Sequence, residues 1–221
     1  NAGDIKLGGA LRNASVKDKE NKTTSVGSIN LESIAGGIDG AQAGVYTDKL
    51  VAKAKQNISL TQTSITDAAT ISLNSTNGNI DFTSQKGNLE FTAEAGSDGA
   101  AGAENGSYMI NAAGNVQTKT NKVDFPDTYD IYKERLAGKR LTINAENGSV
   151  IVRVKTGQDV GSGEYRGDGL NITAHDNITV YHDEAGKNLL LGELKSATGD
   201  VLINTKTGSL VDAIGSSELS D

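Results

Sequence analysis

The sequence predicts an all-β fold, a parallel β-helix (solenoid) with a few loop insertions. Three observations favour this fold class. An apolar–polar–apolar template recurs along the 221 residues, most copies begin with a small or polar turn pair, and closely spaced copies lie eight to twelve positions apart. The composition of 27 Gly, one Pro and 4% aromatic residues is consistent with this fold class, because a stack of Ile, Val and Leu layers needs no large aromatic side chains. Collagen is excluded, since it requires Gly at every third position together with abundant Pro.

The template is clearest in GNIDF at 78–82 and GNLEF at 87–91. Side chains alternate across a strand, so Ile80 and Phe82 point to one face and Asp81 to the other. We interpret the leading Gly-Asn pair as a turn whose residues tolerate positive φ. Looser copies are GDIKL at 3–7, GSINL at 27–31, QNISL at 56–60, ATISL at 69–73, GNVQT at 114–118, RLTI at 140–143, GSVIV at 148–152, GLNI at 169–172, DNITV at 176–180, NLLL at 188–191, GDVLI at 199–203 and GSLVD at 208–212.

The spacing of the copies favours coils over hairpins. Ile71, Ile80 and Leu89 are nine positions apart, and most connectors are too long for the two-residue turns, such as Asn-Gly, that join hairpin strands. Because the turn pair always precedes the strand, we expect strands that run around a coil and stack in parallel on the next one, two or three to a coil of about 20 residues. We expect Asp81 and Glu90 to face solvent. The predicted core residues are Ile80, Phe82, Leu89, Phe91, Val201, Ile203 and Leu210.

Three stretches interrupt the template and are predicted to leave the coil. Residues 11–26 are polar and charged, residues 93–107 are rich in Ala, Gly and acids, and residues 120–140 hold the only Pro and three of the nine aromatic residues. In the third stretch, Asp127 could cap a short helix within Asp127–Ala137 that Gly138 would end. This insertion either packs its apolar side on the flank of the coils or forms a protruding recognition element.

Charge and cysteine content narrow the classes of function. The net charge of −7 disfavours nucleic acid and anionic membrane as partners, and no apolar run approaches the ~20 residues of a membrane-spanning helix, so no membrane insertion is expected. Without Cys the chain has neither disulfides nor thiolate metal sites. The chain starts at Asn1 without Met and ends at Asp221 shortly after a template copy. We therefore expect residues 1–221 to be a single β-helix segment of a longer protein.

No catalytic, cofactor or metal site is predicted. His175 and His182 have no neighbouring nucleophile signature, and the acidic residues mostly occupy outward strand positions, where solubility alone accounts for them. GGIDGAQAG at 36–44 begins like a calcium-binding nonapeptide but lacks its third Gly and its Asp. We therefore expect no enzyme, and incidental cations on acidic loops stay an open alternative.

Two short motifs are candidates for recognition or modification. An RGD tripeptide, Arg166, Gly167 and Asp168, lies in a Gly-rich stretch that suits a receptor-binding loop of the integrin-ligand type, although the same tripeptide also arises as an ordinary turn. Asn-x-Ser/Thr occurs eight times, more than the roughly three copies expected by chance. The strand template explains part of this excess, because it places Ser or Thr at outward positions. The glycosylation candidates are Asn57, Asn105, Asn147, Asn171 and Asn177.

Tandem G-[NDS]-[IVL]-x-[ILVF] coils with Asn- and Gly-rich turns and no Cys resemble the filamentous-haemagglutinin-like exoproteins. The resemblance is carried by GDIKL, GSINL, GNIDF, GNLEF, GSVIV and the run GDVLINTKTGSLVDA at 199–213, and it covers most of the chain except the three insertions. It implies a long right-handed parallel β-helix that is exported by two-partner secretion and displayed on the surface of a Gram-negative bacterium.

From the template and this resemblance we expect a non-enzymatic structural and adhesive rod segment of a large secreted or cell-surface bacterial adhesin. Its expected partner is a receptor or a glycan on a host or neighbouring cell, and end-to-end self-association is a further expectation, since a solenoid without polar caps exposes strand edges. Two alternatives stay open. One is a polysaccharide-active β-helical enzyme or tailspike, and the other is a subunit of an extracellular filament that stacks end to end.

Overall fold

The computed structural model describes residues 3–13, 16–25, 27–95, 108–118, 141–154, 158–159, 170–182 and 187–212. The regular structure of these residues consists of β-strands, and no helix occurs among them. The strands form two long sheets and one two-stranded sheet. The helix predicted within Asp127–Ala137 lies outside the described residues.

The first sheet has eleven strands. Its strand pairs are parallel, apart from the antiparallel pair of β16 and β19. The strands are β1 (Ile5–Lys6), β2 (Leu11–Arg12), β6 (Ile38–Tyr46), β8 (Ile58–Thr63), β10 (Ile80–Ser84), β12 (Tyr108–Ala112), β14 (Leu141–Ala145), β16 (Gln158–Asp159), β17 (Leu170–Ala174), β19 (Lys187–Ser196) and β21 (Leu210–Asp212).

The second sheet has eight strands, all parallel to their neighbours. They are β5 (Ser28–Ser33), β7 (Lys49–Ala54), β9 (Ala68–Ser75), β11 (Asn88–Ala95), β13 (Val116–Thr118), β15 (Val150–Val154), β18 (Ile178–His182) and β20 (Val201–Thr205). From β5 onward the chain alternates between the two sheets, except that β16 and β17 both belong to the first sheet, so that each coil contributes one parallel strand to each sheet. Ile38, Ile58 and Ile80 are successive register partners, and their spacing agrees with the predicted coil length of about 20 residues. The coils from Ile80 to Tyr108 and from Tyr108 to Leu141 are longer than predicted.

The two copies that define the template belong to different sheets. GNIDF forms β10, which pairs with β8 and β12, and GNLEF forms β11, which pairs with β9 and β13. The two strands are therefore successive sides of one coil and not a hairpin. This arrangement confirms the prediction of an all-β parallel solenoid.

The core lies between the two sheets and consists of inward-facing side chains from stacked strands. Burying one large apolar side chain contributes about 1.5–3 kcal/mol, so every coil adds to the stability of the stack. Asp81 is exposed and Glu90 is partly exposed on the outer faces, as the alternation of side chains predicts. The predicted core residues of β10 and β11 that are fully buried are Ile80, Phe82, Leu89 and Phe91.

Three predicted core residues near the carboxyl end of the stack are less buried than expected. Val201 is 44% exposed and Leu210 is 49% exposed. Ile203 packs against the core but is only partly buried. Val201 pairs with Ile178, and Leu210 pairs with Leu189, so both lie in the inward columns as predicted. Their predicted inward direction is confirmed, and they stay partly exposed because, among the described residues, β20 and β21 each pair on one side only.

The Gly of the template is required mainly for close packing between coils. A Cβ on Gly78 would lie 2.6 Å from both Asn57 N and Asn57 Oδ1 of the preceding coil, and the next residue, Asn79, donates its N–H to Asn57 Oδ1 (2.9 Å). We call this Gly contact with its following hydrogen bond the inter-coil bracket. It recurs at Gly36/Asp4, Gly114/Asn88, Gly148/Asn115, Gly192/Asn171 and Gly199/Asn177.

The interpretation of this Gly as a positive-φ turn residue is therefore only partly right. Gly87 (φ 74) and Gly208 (φ 98) do adopt positive φ, whereas Gly78 does not. No Asn of a template pair adopts positive φ among the described residues. The Gly is instead required because a Cβ would collide with the neighbouring coil, and the Asn or Asp of the template supplies an Oδ1 that accepts a backbone N–H from the next coil.

The predicted insertions differ in how far the structure describes them. Within 11–26, Leu11–Arg12 still pairs with β6, and an antiparallel hairpin of β3 (Val16–Lys17) and β4 (Thr23–Ser25) follows. Within 93–107, the first three residues continue β11, and residues 96–107 lie outside the described part. Residues 120–140 also lie outside it.

Candidate functional site

A groove crosses the first sheet along the direction in which the coils stack. It has a volume of about 740 Å³ and lies where β10, β12, β14 and β17 end. We call it the axial groove. Its lining residues are Thr83, Ser84, Gln85, Asn111, Ala112, Ala113, Asn144, Ala145, Glu146, Thr173, Ala174, His175 and Ala197.

The lining is arranged in columns because the four strands stack in register. Neighbouring strands lie about 4.8 Å apart, so each column repeats its side chains at that interval. The outward column contains Thr83, Asn111, Asn144 and Thr173. The column next to it is buried and contains Ser84, Ala112, Ala145 and Ala174.

A third column consists of the residues that directly follow the strands, and backbone hydrogen bonds between coils keep these residues in register. Glu146 N donates to Ala112 O (2.9 Å), and His175 N donates to Ala145 O (3.2 Å). Ala197 N continues the series by donating to Ala174 O (3.0 Å). The side chains of this column therefore line one wall of the axial groove over several coils.

Two amide side chains form a ladder in the middle of the outward column. Asn144 Nδ2 donates to Asn111 Oδ1 (2.7 Å), and Asn111 Nδ2 donates to Thr83 Oγ1 (3.4 Å). Both amides are partly exposed. Each amide has two N–H donors and two acceptor lone pairs, and this ladder engages only part of that capacity. The column therefore offers donors and acceptors to a ligand at successive coils.

An imidazole and two carboxylates lie toward the β17 end of the axial groove. His175 Nδ1 lies 2.7 Å from Asp176 Oδ1, and the two side chains are 50% and 46% exposed. Thr198 Oγ1 donates to His175 O (2.9 Å) and to Asp176 Oδ1 (3.3 Å). In a neutral imidazole, an Nδ1–H that donates to the carboxylate leaves Nε2 as an acceptor. Glu146 occupies the coil before His175 and adds a negative charge to the same wall.

The charge of the axial groove is mildly negative. Glu146 is the only Asp, Glu, Lys or Arg among its described lining residues, and His175 is the only other titratable one. The whole chain carries a net charge of −7. The groove therefore combines amides, hydroxyls and Ala methyl groups with a low density of charge.

None of the sequence-predicted site residues that the structure describes is a lining residue of this groove, although Asn147 adjoins it. The RGD tripeptide at 166–168 and Asn105 are not described. Asn57, Asn171 and Asn177 each accept an inter-coil hydrogen bond through Oδ1, and Asn147 Nδ2 donates to Ala113 O (3.1 Å). Receptor binding and glycosylation at these positions stay predictions.

The axial groove was not among the predicted sites, although a sequence signal for it exists. A polar residue followed by a small one recurs at the ends of five first-sheet strands, β10, β12, β14, β17 and β19, as Thr-Ser, Asn-Ala, Asn-Ala, Thr-Ala and Lys-Ser at 83–84, 111–112, 144–145, 173–174 and 195–196. The two histidines, which the sequence pattern does not distinguish, also differ in location and burial. His182 is buried at the end of β18, whereas His175 is exposed in the groove.

Two further properties concern only the part of the chain that the structure describes. No group of three or more His, Asp or Glu side chains there is placed to hold a metal ion. No helix there is long and apolar enough to cross a membrane.

The fold and the groove define this chain as a parallel β-solenoid with two sheets and a polar groove along the stack. No protein-family model, curated protein or solved structure matches it.

Proposed function

We propose that this chain is a non-enzymatic structural and adhesive rod segment of a large secreted or cell-surface bacterial adhesin, which attaches to cells or surfaces. The observation that supports the proposal is the parallel stack of two sheets. Eight second-sheet strands in register span seven intervals of about 4.8 Å, or about 34 Å. Such a stack gives reach to an adhesin and holds the side chains on its flanks at fixed intervals.

The inter-coil bracket supports a mechanical role for the stack. Each bracket adds a side chain–backbone hydrogen bond between coils to the backbone ladders of the two sheets, for example Ser149 N to Asn115 Oδ1 (2.8 Å). A rod that carries load along its axis benefits from such cross-links, and six of them recur along the described part of the stack. The resemblance of the template to filamentous-haemagglutinin-like exoproteins is consistent with this role, and it extends the proposal to two-partner secretion and to the surface of a Gram-negative bacterium.

Attachment of coated particles tests the adhesive role. Fluorescent beads carrying the chain are expected to attach to cultured epithelial cells or to Gram-negative bacteria. Beads carrying a Phe82→Asp variant at the same density are the control, because a carboxylate at this fully buried position disrupts the fold. Equal attachment of both kinds of bead, or no attachment to any cell tested, would contradict the proposal.

A polysaccharide-active enzyme is the second candidate, and one observation favours it. Asp176 orients the His175 imidazole in the axial groove, and Glu146 lies one coil away, so a base and an acid could flank a bound glycan. The adhesive proposal expects no turnover when the chain is incubated with pectins, glycosaminoglycans or neutral glucans. Release of sugar fragments that the His175→Ala variant abolishes would favour the enzyme.

A further inference from the structure

The shape of the axial groove suits an extended polymer. Its lining begins at Thr83 on β10 and reaches Ala197 after β19, which is five successive coils of the first sheet. Four intervals of about 4.8 Å give a length of about 19 Å. A compact small molecule would occupy only one or two coils, whereas a linear chain could contact every coil.

The pattern of hydrogen-bonding groups favours a ligand that is both a donor and an acceptor along its length. On β10, β12, β14 and β17 the outward column presents two amides between two threonine hydroxyls, and Lys195 follows on β19. The hydroxyl groups of a glycan match this pattern, because each can donate and accept. An added peptide strand is disfavoured, since β10, β12, β14 and β17 are already paired on both sides and have no free backbone edge.

The charged side chains at the axial groove favour neutral glycans over anionic ones. Glu146 is the only charged residue of the lining, and Asp176 next to His175 adds a second carboxylate to the same wall, whereas Lys195, the register partner of Thr173, is the one cation in the outward column over these five coils. Two carboxylates against one ammonium leave the groove mildly negative, so a uronate or sulfate group would meet more like charge than opposite charge there. A neutral glycan loses nothing to this repulsion.

We infer that the axial groove binds a neutral, linear glycan that lies along the stack and contacts the outward column of each coil. This inference rests on the proposed adhesive function and names the class of partner for it. The small side chains of Ala113 and Ala197, which are not buried, leave room in the third column for sugar rings to approach the amides, and the contact repeats from coil to coil.

Binding to defined glycans tests the inference. The full chain is titrated calorimetrically with amylose, laminarin and β-1,4-mannan as neutral probes and with polygalacturonate and heparin as anionic probes. We expect at least one neutral glycan to bind, with an affinity that changes less than about two-fold between about 0.05 and about 0.5 M NaCl. Absence of binding by every neutral probe, or stronger binding by polygalacturonate or heparin, would overturn the inference.

Matched variants locate the binding. Asn144→Ala and the isosteric Thr173→Val remove groups of the outward column, and each is expected to weaken binding about five-fold or more, as for the loss of one hydrogen bond. Gln117→Ala and Thr179→Val make the same changes on the outer face of the second sheet and are expected to leave the affinity unchanged. Equal loss in both pairs would refute the groove as the site.

The bead assay separates this inference from the proposed function. If beads attach to cells but no neutral glycan binds, the adhesive function stands and the glycan inference fails. If a neutral glycan binds through the outward column but beads attach to no cell, the inference about the groove stands and the adhesive function fails.

Discussion

Replacement of Gly148 by Ala tests the inter-coil bracket directly. An added Cβ would lie 2.5 Å from Asn115 Oδ1 and 2.6 Å from Asn115 N. Real Cβ atoms essentially never come this close to other heavy atoms, and the amide nitrogen belongs to the backbone of the neighbouring coil. The coils must therefore separate locally, which also strains the hydrogen bond from Ser149 N to Asn115 Oδ1.

The expected loss of stability follows from three contributions. Forcing a methyl group into a packed site costs about 1–3 kcal/mol, and loss of the hydrogen bond costs about 1 kcal/mol. Ala lowers the conformational entropy of the unfolded chain relative to Gly, and this effect offsets about 0.4–1 kcal/mol of the loss of stability. The net destabilisation is about 1–3.5 kcal/mol, which lowers the Tm of a chain of this size by roughly 2–14 °C.

Thermal unfolding followed by circular dichroism measures this change. Gly9→Ala is the matched control, because nothing lies within 4 Å of a Cβ at Gly9, and its Tm is expected to equal or slightly exceed that of the parent chain. In the double variant with Asn115→Ala the contact with Oδ1 disappears, so the two losses should sum to less than their separate values. Equal Tm values for Gly148→Ala and Gly9→Ala would refute close approach as the reason for this Gly.

Three further predictions concern the core, the end of the stack and the RGD tripeptide. Phe82→Ala should lower the free energy of unfolding measured in urea by about 3–5 kcal/mol, because it leaves a cavity between the sheets. Asp81→Ala, at the exposed neighbouring position, should change this free energy by less than about 0.5 kcal/mol. Similar losses in the two variants would contradict the assignment of inward and outward positions. Exposed apolar side chains on β20 and β21 should promote end-to-end association in sedimentation at rising concentration, and Leu210→Lys should reduce it; a monomer at every concentration would count against association. Asp168→Glu should leave attachment to host cells intact, and loss of integrin-dependent attachment in that variant would show that the tripeptide is functional.

The repeating strands and their buried faces could be predicted from local sequence, because alternation along a strand decides which side chains point inward. This is why Ile80 and Phe82 were assigned correctly. Burial at Val201 could not be predicted in the same way, since it depends on what stacks on β20 and not on the pattern within β20. The role of Gly78 also depends on Asn57, a neighbour from the preceding coil, and a local rule about turn conformation cannot detect a contact between coils.

The axial groove could not be predicted for a related reason. Its columns join residues from 83 to 197, and the intervals between register partners vary from coil to coil. Asn111 and Asn144 become neighbours only once the register of β12 and β14 is known. The recurring polar–small pairs become informative when they are aligned by coil, and the unequal lengths of the connections hide that alignment in the linear sequence.

The unequal coil lengths show that the loops between strands can differ in length while the sheets stay the same. The register partners Ile38 and Ile58 are separated by a short coil and the partners Tyr108 and Leu141 by a much longer one, yet both pairs join parallel neighbours in the same sheet. The connection can therefore lengthen without disturbing the ladder, and each doubling of a flexible loop costs only about 0.6 kcal/mol of closure entropy. New loops can be grafted at the corners of this solenoid and exchanged one at a time, while the strands beneath them keep their places.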